Sequence, residues 1–232
     1  MQSAKIGKYE VLYTDSVEFH ALKREIWGSH CYYQELAIDH PHILDLGSHI
    51  GLSVLYFKTI FPNAQIDCYE PHPKSYHLLQ ENINWNRLEG INSHNLAVST
   101  GAKSLTLHTN QDDSWRSTVS IFPGAWNESQ QTIPQSYPAT PLNSILHNHY
   151  DIIKMDVEGY EYELINSVKD KLHLGKVWLI EIHGIGHYDV RELISLFEKE
   201  GFSTLLEKGK KVIKPHQLSG LALLRASCVD VK

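Results

Sequence analysis

Cysteine is scarce in this chain of 232 residues. The three cysteines, Cys31, Cys68 and Cys228, are dispersed along the sequence, and their number is odd. A disulfide framework uses paired cysteines, and a zinc knuckle needs Cys-x-x-Cys, a motif that the sequence lacks. The sequence therefore excludes both kinds of cysteine-rich domain. It predicts a protein of a reducing compartment, the cytoplasm.

Long apolar runs and basic stretches are missing too. No run of about 18 apolar residues occurs, and the first residues lack the apolar core of a signal peptide, so we expect no membrane span and no membrane partner. The net charge is −6 and the pI about 6.2, without a stripe of lysine and arginine. We therefore expect no nucleic-acid partner. With 42% hydrophobic and 21% charged residues, the composition is that of a soluble globular protein.

Apolar strands alternate with helical stretches through most of the chain. This alternation predicts an α/β fold with a largely parallel sheet that is covered by helices on both faces. The last two strands are expected to form a hairpin. Strands are predicted at Ile43–Leu46, Gln65–Tyr69, Asn92–Val98, Ser104–His108, Asp151–Val157, Val177–Ile182, Phe202–Leu206 and Leu221–Arg225, and helices at Leu52–Phe61, Lys74–Asn86, Leu142–His147, Tyr160–Ser167 and Val190–Glu200.

Two regions outside this pattern are predicted to cover the main domain, which spans residues 41–232. Residues 1–40, with the amphipathic stretch Val17–Trp27, are expected to form an N-terminal cap or lid. Residues 110–141 are rich in Ser, Gln, Pro and Thr, with interspersed aromatic residues. Because those aromatic rings need burial, we expect an inserted lid at about 110–141 rather than disorder.

A glycine turn joins a buried strand to a helix in the run Asp45-Leu46-Gly47-Ser48-His49-Ile50-Gly51. Glycine lets a ligand approach the backbone, and the helix start offers free N–H groups. In the dinucleotide motif G-x-G-x-x-G, the middle glycine lets the diphosphate touch the backbone, but His49 occupies that position here. The D-x-G-x-x-x-G form instead suits a ligand without phosphates, such as S-adenosylmethionine (SAM).

Glu70 supports a ligand at this turn. It follows the next strand. Its separation from the glycine turn is close to the roughly 20 residues expected for a carboxylate that binds ribose hydroxyls. Asp45 lies close to the turn, where it is expected to accept from the methionine ammonium, directly or through water, or to orient the loop. The alternative is a strand-to-helix turn without a ligand, and the position of Glu70 disfavours it.

Charged residues interrupt two strands that should be apolar if they are buried on both faces. Lys154, Asp156 and Glu158 share one face of a strand, and Glu181 and His183 share one face of the next. Singly, they are explained by a helix dipole or a structural ion pair. Together, at the carboxyl edge of the sheet, they predict a catalytic cluster with His183 as base. Mg²⁺ or Mn²⁺ would accept these ligands, but no spacing is diagnostic, so a divalent metal stays open and is not favoured.

These residues fall in runs that resemble one family, the FkbM family of SAM-dependent methyltransferases. The resemblance covers about residues 40 to 185. It implies the Rossmann-like class I fold, with a seven-stranded, mostly parallel sheet and an antiparallel C-terminal hairpin. It also implies methyl transfer, commonly to a hydroxyl of a sugar, polyketide or other natural product. In the family the loop usually continues with Ala-Asn after its first glycine, where this chain has Ser48-His49. The runs are Asp45–Gly51, Tyr69–Pro71, Asn95–Ala97, Ile153–Glu161 and Glu181–His183.

We therefore expect a cytoplasmic SAM-dependent O-methyltransferase with a small-molecule acceptor; a homodimer is compatible with the sequence. N-methylation of an amine or amide, including a peptide side chain, is the main alternative. A nicotinamide oxidoreductase and a non-catalytic SAM-binding domain are the others. The residues expected to contact SAM are Asp45, Gly47, Ser48, His49, Gly51, Glu70, Pro71 and, near adenine, Asn95. Those expected to act on the acceptor are His183, as base, and Asp156, Glu158, Glu181 and Lys154, which orient the acceptor or His183.

Overall fold

The computed structural model describes residues 1–110, 119–124, 132–185 and 188–228. Its helices and strands, in chain order, are β1 (Gln2–Ile6), β2 (Tyr9–Tyr13), α1 (Ser16–Leu22), β3 (His42–Leu46), α2 (Leu52–Ile60), β4 (Gln65–Tyr69), α3 (Pro73–Trp85), β5 (Ile91–His94), β6 (Ala97–Ser99), β7 (Ser104–Asn110), β8 (Thr132–Pro141), α4 (Leu142–Ile145), β9 (Tyr150–Met155), α5 (Glu161–Ser167), β10 (Gly175–Ile182), α6 (Val190–Lys199), β11 (Ser203–Lys208), β12 (Lys211–Val212) and β13 (Ala222–Ser227). A π-helical turn, Lys23–Gly28, continues α1, and short 3₁₀ turns lie at Lys169–Leu174 and Pro215–Gln217.

The main sheet has the strand order β12-β11-β13-β10-β9-β3-β4-β5. Strands β10, β9, β3, β4 and β5 run parallel to one another. Strand β13 runs antiparallel to both β10 and β11. The predicted parallel sheet with its antiparallel C-terminal hairpin is therefore confirmed. In the described part of the chain, the two-residue β12 adds an eighth strand at one edge.

Alternate side chains of the central strands point into two separate hydrophobic cores. In β10, for example, Trp178 and Ile180 belong to one core, whereas Val177 and Leu179 belong to the other. Helices α4, α5 and α6 cover the first core, and α1, α2 and α3 cover the second. This period of two explains why the strands read as continuous apolar runs and confirms helices on both faces.

The prediction of one strand over Asn92–Val98 is wrong. Strand β5 ends at His94, which pairs with Tyr69, and β6 then leaves the main sheet to pair in parallel with β8. Between the two strands, Asn95 Nδ2 donates to the carbonyl oxygens of Glu70 at 2.8 Å and Pro71 at 3.0 Å. The Asn95 side chain thus binds the backbone carbonyls beyond the end of β4. After Asn95 the chain leaves the main sheet and joins a second, three-stranded sheet with the order β6-β8-β7.

The N-terminal region packs on α3 as well as on the second core. Strands β1 and β2 form an antiparallel hairpin. Asn82 of α3 and Asn86, just after the helix, bind the backbone of β2: Leu12 N donates to Asn82 Oδ1 at 2.7 Å, and Glu10 N donates to Asn86 Oδ1 at 2.9 Å. Asp15 precedes helix α1 and caps it, because its carboxylate accepts from the N–H groups of the first turn. Residues 1–28 are thereby fixed on one face of the main domain.

Part of the segment 110–141 is regular structure. Its last ten residues form β8, which pairs antiparallel with β7, and Tyr137 is buried there. Residues 111–118 and 125–131, which include Trp115 and Trp126, lie outside the described residues. The role of this segment as a lid stays a prediction. None of the helices in the described ranges is long and apolar enough to cross a membrane.

Candidate active site

The glycine loop between β3 and α2 runs directly against the end of β9. Gly47 has a φ of +81°, and a Cβ atom added to it would lie 1.8 Å from the carbonyl oxygen of Asp156. The backbone N–H groups of Gly47 and Ser48 both donate to the carbonyl oxygen of Tyr69 at 3.0 Å. At Gly51, with a φ of +90°, a Cβ would lie 2.7 Å from Leu79 Cδ1. The path of the loop therefore requires glycine at both positions.

Glu70 is placed beside this loop at the end of β4. Its Oε2 accepts from His49 N at 2.8 Å, and its Oε1 accepts from His72 N at 2.8 Å. Burial raises the pKa of Glu70 to about 7, although these two hydrogen bonds act in the opposite direction. Each carboxylate oxygen has a second lone pair, so Glu70 can accept further hydrogen bonds from a ligand in the adjoining cavity.

Two residues that were predicted to contact SAM have other partners. Asn95 is bound to the carbonyls that follow β4, as described above. Asp45 is completely buried, with Oδ2 at 2.5 Å from Ser53 Oγ and Oδ1 at 3.3 Å from Lys154 Nζ. Neither residue is among the described residues that line the cavity. Asp45 thus faces the residues that hold the loop, rather than open space.

Lys154 connects the glycine loop to the acidic residues. Its ammonium donates to the carbonyl oxygen of Gly47 and lies 3.3 Å from both Asp45 Oδ1 and Asp156 Oδ2. Burial by itself lowers the pKa of Lys154, but the carboxylates of Asp45, Asp156 and Glu181 outweigh it and raise the pKa. Lys154 therefore stays charged and acts as a structural cation between the loop and the cluster.

His183 lies among three carboxylates. Its Nδ1 is 2.8 Å from Glu161 Oε1, and its Nε2 is 3.6 Å from both Asp156 Oδ1 and Glu158 Oε2. Glu161 Oε1 also accepts from Gly159 N at 3.0 Å, so the same carboxylate fixes the turn that carries Glu158. The prediction that these residues converge at the carboxyl edge of the sheet is met by this arrangement. One ligand atom each from Asp156, Glu158 and His183 lie within 4.8 Å of one another, so these three residues could hold a divalent metal.

The role of His183 as the base stays a prediction, and its three carboxylate neighbours favour the charged imidazolium. Burial lowers the pKa of His183, but the hydrogen bond to Glu161 and the charges of Glu161, Glu158 and Asp156 raise it to about 10. A histidine with such a pKa is protonated at neutral pH and has no lone pair to accept a proton. For Glu158, burial and the charge of Asp156 raise the pKa well above the ordinary value. Once it is ionised, a carboxylate of raised pKa is a stronger proton acceptor than an ordinary carboxylate.

A single cavity of about 460 Å³ joins the glycine loop to this cluster. The predicted site residues that line it are Gly47, Ser48, His49, Glu70, Pro71, Lys154, Asp156, Glu158, Glu181 and His183. The chain thus brings most of the predicted residues to one space, while Asp45, Gly51 and Asn95 support its walls.

The N-terminal region contributes residues that sequence reasoning missed. Glu25, in the π-helical turn, lines the cavity, and burial and the charge of Asp156 raise its pKa. The hydroxyl of Tyr32 donates to Glu181 Oε1. No motif marks Glu25 or Tyr32, since each is brought to the cluster only by tertiary packing. The third missed residue, Glu161, lies in the motif run that ends at this position.

The family model of the methyltransferase FkbM domain matches residues 45–204. The chain belongs to the FkbM methyltransferase family. The matched range of this FkbM protein begins at Asp45 and includes His183, so it covers both the glycine loop and the acidic cluster. Glu25 and Tyr32 precede the matched range.

Known proteins agree with this family. Methyltransferase sdnD of Sordaria araneosa is 26% identical over 223 residues, which cover 84% of this chain and 86% of that protein. Methyltransferase 1 of Beauveria bassiana is 23% identical over 215 residues, or 83% of each chain. The crystal structure of an FkbM methyltransferase from Methylobacillus flagellatus has a TM-score of 0.56 at 15% identity, over 84% of this chain and 47% of that one. This FkbM protein thus spans about half of that chain, and the structural likeness shows the shared fold.

Proposed function

We propose that this protein transfers the methyl group of SAM to a hydroxyl group of a small molecule. The observation that carries the proposal is the continuous cavity between the glycine loop with Glu70 at one end and the acidic cluster at the other. When bound, SAM supplies a methyl group on a positively charged sulfur, and neutral S-adenosylhomocysteine remains after transfer.

The residues of the loop end fit SAM in shape and charge. Gly47 lines the cavity, and because it carries no side chain it presents only backbone atoms to a ligand. Glu70 has lone pairs for the two ribose hydroxyls, the role expected of an acid at this strand end. The described lining residues include six carboxyl groups against Lys154 and two histidines. Because acidic groups outnumber basic groups, the lining can balance a ligand that carries a sulfonium and an ammonium by ionising its carboxyl groups, and it is poorly suited to the diphosphate of a nicotinamide cofactor.

Glu158 is proposed to accept the proton of the acceptor hydroxyl. The Glu158 carboxylate would take up the hydroxyl proton as the acceptor oxygen is methylated, and SAM, when bound, would supply the methyl group and leave as neutral S-adenosylhomocysteine. His183, held by Glu161, keeps Glu158 and Asp156 in position through its positive charge. An amine acceptor fits less well, because neighbouring carboxylates would raise its pKa and keep it as a non-nucleophilic ammonium.

Labelled SAM, incubated with the protein and fractionated small molecules from its own source, tests the reaction. We expect a labelled, methylated product that does not react with amine-specific reagents. Glu70→Ala should weaken SAM binding by about 1–3 kcal/mol, because two charge-assisted hydrogen bonds are lost. Glu158→Gln should bind SAM normally and lower kcat about 10²–10⁴-fold. The matched control is Glu200→Gln at the exposed C-terminal end of α6, which should change neither quantity.

Two results would contradict the proposal. If wild-type protein fails to bind SAM in a calorimetric titration, the assignment of the loop end is wrong. If Glu158→Gln turns over at the wild-type rate, no proton acceptor is needed at that position, and alignment alone accounts for the reaction.

A further inference from the structure

We infer that the methyl acceptor is a largely apolar, uncharged alcohol, and that free sugars and anionic molecules are excluded. This inference rests on the proposed function and concerns the part of the same cavity that lies beyond the glycine loop and Glu70.

One wall of the cavity is built from the three-stranded sheet and is apolar. Leu105 and Leu107 of β7 line the cavity, and their separation of two residues puts both on the same face of the strand. Val119 and Ile121 line it as well, on either side of Ser120, which forms a β-bridge with His108. Two neighbouring extended segments thus turn alternate apolar side chains toward the acceptor space.

The N-terminal region adds further apolar side chains to the cavity. Val17, Ala21 and Leu22 of α1 and Ile26 of the π-helical turn line the cavity, and Glu18 and Glu25 line it from the same stretch. The apolar positions recur at helical spacing, so they lie along one face of this region. An acceptor in the cavity therefore meets hydrocarbon from both regions, and the two acids are the exceptions on the N-terminal side.

Such walls select strongly against a free sugar. Each methylene group of an acceptor that leaves water gains about fourfold in affinity, equivalent to about 0.8 kcal/mol. A sugar would bring several hydroxyl groups against side chains that cannot accept or donate hydrogen bonds, and it would lose its hydrogen bonds to water. An apolar body with one hydroxyl group avoids this loss, because the hydroxyl can lie at the acidic end.

The acidic end selects against anions. Glu25, Asp156, Glu158 and Glu181 all line the cavity near His183. Lys154 and His183 lie within 3.6 Å of carboxylates, so their positive charges are largely neutralised. A phosphate or carboxylate on the acceptor would therefore be repelled by the ionised carboxylates, because the positive charges of Lys154 and His183 are already paired. Phosphate esters and fatty acids are expected to be rejected, whereas a neutral fatty alcohol of the same chain length is accepted.

A series of straight-chain primary alcohols from butanol to octanol, with labelled SAM, tests this inference. We expect kcat/KM to rise about two- to fourfold with each added methylene. Octanoate and methyl glucoside should give no methylated product above background. Binding of each alcohol in the presence of S-adenosylhomocysteine, measured by calorimetry, should follow the same order even if the pose of a simple alcohol limits turnover.

Variants of the sheet wall provide the structural control. Leu105→Asn and Ile121→Asn should each lower the affinity for octanol about tenfold and that for butanol much less. Thr106→Asn is the matched control, because Thr106 is exposed on the opposite face of β7 and should leave both affinities unchanged.

The outcomes separate this inference from the proposed function. If SAM binds and methyl glucoside or octanoate is preferred to octanol, the acceptor class is wrong while methyl transfer stands. If affinity does not depend on chain length, the apolar walls do not select the acceptor, and the inference fails. If SAM itself does not bind, the proposed function fails and takes this inference with it.

Discussion

Ionisation of the buried Glu181 side chain should lower the free energy of unfolding, and the substitution Glu181→Gln should remove this destabilisation. Glu181 is 8% exposed, and burial together with the charges of Asp156 and Glu25 raises its pKa to about 8 from the model-compound value of 4.5. The folded protein therefore holds a proton that the unfolded chain releases above pH 4.5. The free energy of unfolding should therefore fall as the pH rises from about 4.5 to about 8, and the full destabilisation is reached above pH 8.

The magnitude follows from the difference between the two pKa values. At about 1.4 kcal/mol per pKa unit, ionisation of buried Glu181 costs up to roughly 5 kcal/mol. In Glu181→Gln the amide oxygen can still accept from the Tyr32 hydroxyl, but a hydrogen bond to a neutral group is weaker by about 1 kcal/mol. We therefore expect Glu181→Gln to be more stable than wild type by about 2–4 kcal/mol at pH 9, without ligand.

Urea denaturation at pH 5 and pH 9 measures this difference. At pH 5 the two proteins should differ by less than about 1 kcal/mol, since Glu181 is protonated in the folded state. The melting temperature at pH 9 should rise by roughly 5–15 °C for a domain of this size. Glu200→Gln is the control and should show no pH-dependent gain. Equal stability of wild type and Glu181→Gln at pH 9 would refute the reasoning, as would a gain confined to pH 5.

Two further predictions concern the loop end of the cavity. SAM affinity should increase several-fold between pH 6 and pH 8, because Glu70, with a pKa of about 7, becomes a full anion over this range. In Glu70→Ala most of that increase in affinity should be lost. A wild-type affinity that does not change with pH would contradict the role of Glu70. Gly47→Ala should lose SAM binding and several kcal/mol of stability, because its Cβ would overlap the Asp156 carbonyl, whereas Gly101→Ala, with nothing within 4 Å, should behave as wild type in both assays.

Local patterns were sufficient to predict the frame of the site. Neighbours in the sequence set the glycine loop, the carboxylate after β4 and the charged residues in and just after β9 and β10, through a strand, a turn and a period of two. Parallel pairing then places the strand ends at one edge, as Asp45 opposite Lys154 shows. The two cores and the C-terminal hairpin follow from the same alternation of apolar residues.

Tertiary contacts determine what the sequence could not predict. Tyr32 reaches Glu181 across 149 positions of the chain, and no local pattern indicates that pair. The protonation of His183 depends on three carboxylates of one short segment, residues 156–161, which the fold places beside the end of β10, so its chemical role could not be read from its type alone. Strand β5 ends early because Asn95 binds two backbone carbonyls, and a side-chain bond of this kind leaves no signal in hydrophobic periodicity.

The acidity of the cavity links the cost in stability to the chemistry. Mutual repulsion among Glu25, Asp156 and Glu181 destabilises the ligand-free protein, and a cationic ligand would relieve part of that repulsion. Anything that binds the folded form alone adds stability in proportion to the logarithm of its concentration over Kd. If the proposed cofactor is bound through its positive charge, saturating SAM should stabilise wild type more than Glu181→Gln. The two proteins should then differ less in their free energy of unfolding at pH 9. S-adenosylhomocysteine lacks the sulfonium charge and should reduce this difference less, so a comparison of the two ligands shows how much of the stabilisation comes from the charge and how much from other contacts.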